Sequence, residues 1–215
     1  MSSAAARSRA STRRRPRGSR RARRRRVAAV LVATALAGAA VAVVAGGGPV
    51  GEAIREVTLP LRHDDIIRQQ SRDKDVDAAL IAAVIYEESK FRDQTSRAGA
   101  RGLMQITPAT ARFIANRTGG VAFTERDLAT SQINISYGAY YLRYLIDHYE
   151  GNDTLAVAAY NAGQTNVDRW LREAGGPGSF DPADDIPFPE TRHYVDGVID
   201  HREDYRQHYG DELGY

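Results

Sequence analysis

Cysteine is absent from this chain of 215 residues, and only five histidines are present. A fold without disulfides has to be stabilised by its own hydrophobic core, for which roughly 150 residues are enough. The histidines are scattered, and none joins acidic residues at the spacing of a metal site or of a Ser-His-Asp triad. We therefore expect no metal, no cofactor and no triad-type hydrolase.

Acidic residues are missing from residues 1–26, which hold 12 arginines. Without those 12 positive charges, the overall net charge of +3 becomes about −9 for everything that follows. Nucleic-acid-binding domains carry a basic surface for phosphates, so an acidic balance argues against nucleic acid as a partner. The arginine run could itself be a nuclear or RNA-binding tail, but the apolar run directly behind it argues against that.

Charged residues are also missing from residues 27–45. A helix of this length spans roughly 28 Å, close to the thickness of a bilayer core. The preceding arginines predict a cytoplasmic tail at 1–26 and an extracytoplasmic remainder. We predict an uncleaved single-pass membrane anchor. The alternative is a cleaved signal sequence and a secreted protein, although the apolar run is longer than a signal peptide usually has.

Strand patterns longer than a few residues are absent after residue 45, where helical periodicity dominates. Gly and Pro at both ends of residues 46–60 predict a short stalk. An all-α domain is predicted over 61–210. Its predicted helices are 61–74, 77–91, 107–117, 131–149, a helix capped by Asn152-Asp153 that stops at Gly163, 166–173 and 190–208.

Two adjacent carboxylates close the apolar helix predicted over 77–91. At about 100° per residue, with Leu80 at 0°, the apolar stripe centres near ~55°. Glu88 falls at ~80°, inside the stripe, and Glu87 at ~340°, at its edge. Burial would keep a proton on Glu88 to higher pH, as a proton donor to a glycosidic oxygen requires. Phase alone favours the alternative, in which Glu88 is simply the solvated end of a helix.

Further motifs follow Glu88 in a fixed order. They are YEES at 86–89, SRAGARGLMQITPATA at 96–111, DL at 127–128, NISYGAYYL at 134–142, AYNAG at 159–163 and ETRHYV at 190–195. No single motif is specific, but the ordered set resembles the soluble lytic transglycosylase catalytic domain over residues 64–200. The resemblance implies a lysozyme-like, goose-type helical fold and peptidoglycan glycan strands as the partner.

The resemblance also implies roles for individual residues. Glu88, the residue that the helical phase selects, would be the single catalytic acid. The implied substrate-binding residues are Ser96, Met104, Gln105, Tyr160, Asn161 and Tyr194. Alternatives exist for some of them: Met104 could be a core residue, and Asn161 could end a helix together with Gly163. Glu190 could cap a helix or make a structural hydrogen bond as well as contact sugar, and His193 is expected at a solvated position.

The implied reaction is not a hydrolysis. Glu88 would protonate the β-1,4 glycosidic oxygen between N-acetylmuramic acid and N-acetylglucosamine, then accept the proton of the muramic C6 hydroxyl as it attacks C1 to form a 1,6-anhydro ring. One carboxylate suffices, and no second motif carries one. Two alternatives remain: a hydrolytic muramidase on the same fold, with Asp93 or Asp184 as second carboxylate, and an inactive glycan-binding scaffold module.

Overall fold

The computed structural model describes residues 49–120 and 123–215. The predicted arginine-rich tail and the predicted membrane anchor lie outside the described residues. Within the described ranges, no helix combines the length and the apolar composition needed to cross a membrane. Part of the predicted stalk is helical, since helix α1 spans Pro49–Thr58.

Residues Glu56–Tyr215 form one compact unit, and its architecture is helical. Its remaining helices are α2 (Asp64–Lys74), α3 (Ala78–Ser89), α4 (Pro108–Thr118), α5 (Ser131–His148), α6 (Asp153–Ala162), α7 (Gln164–Glu173), α8 (Pro182–Asp185) and α9 (Pro189–Leu213). A short 3-10 helix, Glu125–Ala129, precedes α5. Across the described residues there are isolated bridges but no strand. The all-α prediction is confirmed; the 3-10 helix and α8 were not predicted.

Side-chain caps explain where several helices begin. The Asp77 carboxylate accepts a hydrogen bond from the main-chain N–H of residue 79 at 3.0 Å and starts α3. Thr107 accepts from the N–H of residue 110, and Pro108 occupies the first turn of α4. Asn152 caps α6 in the same way. These three starts agree with the sequence predictions.

Helix α3 is the centre of the core. Every residue from Ala78 to Ile85 is at most 4% exposed, because α9 packs along this helix and α2 along another side. Its many alanines allow neighbours to approach closely. The helix ends at Ser89, two residues before the predicted end, since Lys90 and Phe91 adopt positive φ angles of 50° and 59°. The apolar stripe used above is therefore one side of a helix that is buried all round.

The unit extends beyond the predicted limits of 61–210 at both ends. Buried Leu59 belongs to the core, and the hydroxyl of buried Tyr205 donates to the main-chain oxygen of Pro60 at 2.7 Å. Helix α9 continues five residues past its predicted end, and Leu213 is buried. The hydroxyl of Tyr215, just after α9, accepts from the N–H of Ala79 at the start of α3, while Tyr194 near the beginning of α9 reaches the carboxyl end of α3.

Candidate active site

Glu88 lies in the last turn of α3, at a pocket of about 390 Å³. The pocket is lined by Glu87, Glu88, Asn161, Glu190, His193 and Tyr194. Burial raises the pKa of Glu88 to about 7; the Tyr194 hydrogen bond opposes this rise, and the charge of Glu87 adds to it. A carboxyl group with a pKa near 7 can both donate and accept a proton near neutral pH, which suits general acid–base chemistry.

Two tyrosines from different helices stand around Glu88. Tyr194, from the first turns of α9, donates its hydroxyl proton to Oε1 of Glu88 at 2.8 Å. Tyr160, from α6, donates to the main-chain oxygen of Met104 at 2.8 Å. Burial, followed by the negative charge of Glu88, raises the pKa of both hydroxyls well above the usual value. Both therefore remain protonated hydrogen-bond donors.

The side chain of Met104 is fully buried and belongs to the core. Its sulfur packs against Gly138 of α5, where an added Cβ would stand 2.1 Å from Sδ. The predicted contribution of this side chain to the groove surface is therefore not seen, and the alternative of a core residue fits its position. The main chain of Met104 still meets the site through the hydroxyl of Tyr160.

Asn134 is a site-supporting residue to which the sequence analysis assigned no role. It is 1% exposed on α5. Its Oδ1 accepts from the N–H of Met104 at 2.8 Å, and its Nδ2 donates to the main-chain oxygens of Arg101 and Leu128 at 2.9 and 3.0 Å. Gly102, with φ of 77°, leaves the room that this amide needs. An asparagine among the apolar positions of a predicted core helix was the available signal.

Gln105 and Ser96 lie in the loop that follows Glu88. Gln105 donates through Nε2 to the main-chain oxygens of Gln94 and Gly102, at 3.1 and 2.8 Å. Gln94 in turn donates to the main-chain oxygen of Glu88 at 3.2 Å. Ser96 is exposed, and its Oγ accepts from the N–H of residue 100 at 3.0 Å. The loop is thus linked to the end of α3, but neither residue lines the 390 Å³ pocket.

Asn161 faces the pocket from the last turn of α6. Its Oδ1 accepts from the hydroxyl of buried Thr191 at 2.8 Å, which fixes the orientation of the amide. Gly163, and not Asn161, is the residue that ends α6, with φ of 86°. Exposed Glu190 and His193 line the same pocket from the start of α9.

A second pocket, of about 280 Å³, shares the two glutamates with the first. It is also lined by Ser89, Lys90, Arg92 and Gln94. Ser89 donates to the main-chain oxygen of Ile85 at 3.1 Å and so bonds its own helix. Asp93 and Asp184 line neither of these pockets. Within residues 49–120 and 123–215, no cluster of three or more His, Cys, Asp or Glu side chains could hold a metal ion.

Comparison with known proteins places these features in a family. A family model described as "Transglycosylase SLT domain" matches residues 65–180. The soluble lytic murein transglycosylase of Salmonella typhimurium is 34% identical over 158 residues, which are 72% of this chain and 24% of that protein.

Two solved structures are similar as well. The 70 kDa soluble lytic transglycosylase of Escherichia coli is 31% identical with a TM-score of 0.67, over 74% of this chain and 26% of that one. The lytic transglycosylase Slt of Pseudomonas aeruginosa, solved as an inactive mutant with a glutamate replaced by glutamine, is 30% identical with a TM-score of 0.66, over 73% and 26% of the two chains. This chain therefore spans about a quarter of the length of these relatives.

Proposed function

This chain belongs to the transglycosylase SLT domain family, and from that premise we propose that it is a lytic transglycosylase acting on peptidoglycan. The proposed reaction cleaves the β-1,4 bond between N-acetylmuramic acid and N-acetylglucosamine and leaves a 1,6-anhydro end. The observation that carries this proposal is the position of Glu88, a partly buried carboxyl group with a pKa near 7 that opens onto a pocket. The inactive glutamate-to-glutamine mutant of the Pseudomonas relative is consistent with dependence on one glutamate.

Glu88 is proposed to act as acid and then as base. In its protonated form it donates to the glycosidic oxygen, and as a carboxylate it accepts the proton of the muramic C6 hydroxyl, so that the proton balance closes without a water. The hydroxyl of Tyr194, 2.8 Å from Oε1, stabilises the carboxylate formed in between. A pKa near 7 keeps the energetic difference between the two forms small, which favours both half-steps.

The other predicted site residues are proposed to hold the glycan. Asn161 offers its amide from the pocket wall, with Tyr160 beside it on the same helix. Ser96 and Gln105 would contact sugar from the loop after Glu88. Met104 contributes indirectly, because its main-chain oxygen accepts a hydrogen bond from the hydroxyl of Tyr160 and so positions that side chain.

The product of peptidoglycan digestion tests the reaction. We expect mass spectrometry to find 1,6-anhydromuramic ends, and reducing ends alone would contradict the transglycosylase proposal. Glu88→Gln is expected to reduce cleavage by about 10²–10⁴-fold, because it removes the transferable proton. Rapid clearance of peptidoglycan by this variant would contradict the choice of Glu88.

Thermal unfolding provides the control for Glu88→Gln. The pKa of Glu88 is raised by folding, so the buried carboxyl costs the parent stability as the pH rises from about 4.5 towards about 7. The glutamine variant lacks this ionisation. The unfolding temperature of the variant minus that of the parent should therefore be larger at pH 8 than at pH 4.

A hydrolytic muramidase is the first alternative. It would need a second carboxylate that holds a water opposite the acid. The carboxylates that share the pocket with Glu88 are Glu87 and Glu190, and not the Asp93 or Asp184 considered from the sequence. An inactive scaffold module is the second alternative; it would bind glycan and release no product even with Glu88 intact.

The location of the enzyme is proposed from the sequence. An anchor at residues 27–45, a cytoplasmic tail at 1–26 and a linking segment at 46–60 would hold the catalytic domain, proposed as 61–210, outside the membrane. A cleaved signal would instead give a secreted enzyme. The mass of the mature amino terminus distinguishes the two.

A further inference from the structure

Glu87 makes a specific contact beside Glu88. Its side chain is 20% exposed, and its Oε1 lies 2.8 Å from Nδ1 of His201 on α9. The same Nδ1 lies 2.7 Å from the main-chain oxygen of Gly197. Because a carboxylate and a carbonyl both accept, Nδ1 is the ring nitrogen that carries the hydrogen. The imidazole ring also packs on Tyr86, with 4.3 Å between the ring centroids.

Gly197 provides the space that Glu87 occupies. A Cβ atom at this position would stand 2.8 Å from Oε1 and 3.0 Å from the carboxyl carbon of Glu87. Any other residue here would displace the carboxylate or the helix. Gly197 and His201 are one turn apart on α9, so together they form a seat for Glu87 on the surface of that helix.

Other charged and titratable groups surround this seat. The negative charge of Glu87 contributes to the raised pKa values of Tyr194 and Tyr205 on α9. The charge of Glu88 contributes in the same way to the raised pKa of Tyr160 on α6. The rims of the two pockets add Glu190, His193, Lys90 and Arg92. Glu87 is the neighbouring carboxylate whose charge acts on Glu88.

We propose that Glu87, seated on His201 in the space left by Gly197, is a positioning residue whose fixed negative charge keeps the proton on Glu88 until the glycosidic bond is cleaved. This inference rests on the proposed function, with Glu88 as the acid. It gives Glu87 no contact with the reacting atoms. The second carboxylate at the site, Glu87, would thus keep the proton on Glu88 rather than activate a water.

The first test measures the titration of Glu88 directly. Carboxyl ¹³C NMR of the whole chain, with the Glu88 signal assigned by its absence in Glu88→Gln, is compared between the parent and Glu87→Gln. We expect the Glu88 midpoint in Glu87→Gln to fall by about 0.5–1 pH unit, since a like charge has been removed. The alkaline limb of the pH–rate profile should move down by the same amount, with the rate at low pH retained.

A second variant tests the seat without changing any charge. Gly197→Ala places a methyl group against the carboxylate of Glu87, so this charge has to move relative to Glu88 and the Glu88 midpoint should differ from that of the parent. Gly210→Ala is the matched control, because it makes the same change on α9 at a position with nothing within 4 Å of the added Cβ. It should leave both the midpoint and the rate unchanged.

The outcomes separate this inference from the proposed function. An unchanged Glu88 midpoint in both Glu87→Gln and Gly197→Ala would overturn the positioning role, whatever the activity of the parent. A loss of rate at all pH values with no shift of the limb would overturn it as well, because a merely structural role predicts that pattern. Failure of the proposed function would instead appear as an active Glu88→Gln variant or as reducing ends alone.

Discussion

The helical side of the Glu88 site and its loop side are held by different interactions. On the helical side, Glu88 and Tyr194 come from α3 and α9, two helices that pack along each other through a continuous apolar contact. On the loop side, residues 92–106 contain no helix or strand, and two isolated bridges, buried apolar side chains and hydrogen bonds from amide side chains to the main chain hold them. The acid is thus positioned by helix packing, whereas the opposite wall combines buried side chains with a network of main-chain and amide hydrogen bonds.

This difference separates two kinds of failure. Loss of an apolar contact in the helical side is spread over many neighbours, whereas two main-chain groups of the loop share one buried amide, that of Asn134. Asn134 bonds three main-chain groups, two in the loop and the oxygen of Leu128 in the 3-10 helix. The largest effect of a single polar substitution on folding is therefore expected on the loop side, and the largest effect on proton transfer on the helical side.

Asn134→Ala is expected to destabilise the loop side more than any other single polar substitution. It removes three hydrogen bonds, including the one that the buried amide accepts from the N–H of Met104, so we expect a loss of about 2–4 kcal/mol in the free energy of unfolding. Denaturant unfolding measures the loss. Asn166→Ala is the control, since Asn166 makes one such bond to the main-chain oxygen of Ala162 at a less buried position. Equal losses in the two variants would contradict the dependence of the loop on Asn134.

Tyr194→Phe tests the helical side through its proton chemistry. The Tyr194 hydroxyl stabilises the Glu88 carboxylate, so its removal should raise the pKa of Glu88 and move the alkaline limb of the pH–rate profile upward, opposite to Glu87→Gln. Weaker stabilisation of the carboxylate should lower the rate roughly tenfold, the equivalent of about 1.4 kcal/mol. The pH–rate profile measures both effects.

Tyr205→Phe is the matched control for that variant. Tyr205 is also buried on α9, but its hydroxyl donates to the main-chain oxygen of Pro60. The variant should lower the free energy of unfolding by about 1 kcal/mol, because it loses one buried hydrogen bond. It should leave the alkaline limb of the pH–rate profile at the pH of the parent. A limb that moves equally in both variants would mean that the helix, and not the Tyr194 hydroxyl, controls Glu88.

The fold was largely predictable because its signals are local. Caps such as Asp77 and Thr107, and the stop at Gly163, act within one turn, so their sequence patterns locate helix ends. The end of α3 was predicted two residues too late. Lys90 and Phe91 adopt positive φ angles, and positions without glycine give no sequence signal for such a conformation. The extension of α9 beyond residue 208 depends on contacts with distant residues, such as the hydrogen bond from the hydroxyl of Tyr209 to the main-chain oxygen of Leu59, which periodicity does not report.

The sequence indicated which residues lie near Glu88 better than it indicated their contacts. The motif order selected Glu88, Asn161 and Tyr194, which line one pocket or bond within it. The seat of Glu87 was missed, because it joins positions more than 100 residues apart and depends on the absence of a side chain at Gly197. For Met104 the sequence left core and groove open, because this residue lies between the predicted helices, where periodicity gives no information; the structure buries its side chain completely.

Ser89→Ala is the variant with the smallest expected effect, and it changes a residue at the junction of the helical side and the loop side. Ser89 directly follows Glu88 and is buried, yet its hydroxyl bonds the main-chain oxygen of Ile85 within α3. Since that oxygen belongs to a regular helical turn, its loss of a second donor should cost no more than about 1 kcal/mol in the free energy of unfolding. The rate and the pH–rate profile should stay those of the parent. A rate loss of more than about tenfold would mean that Ser89 bonds the acid during the reaction, which would make the end of α3, and not only Glu88, part of the proton-transfer chemistry.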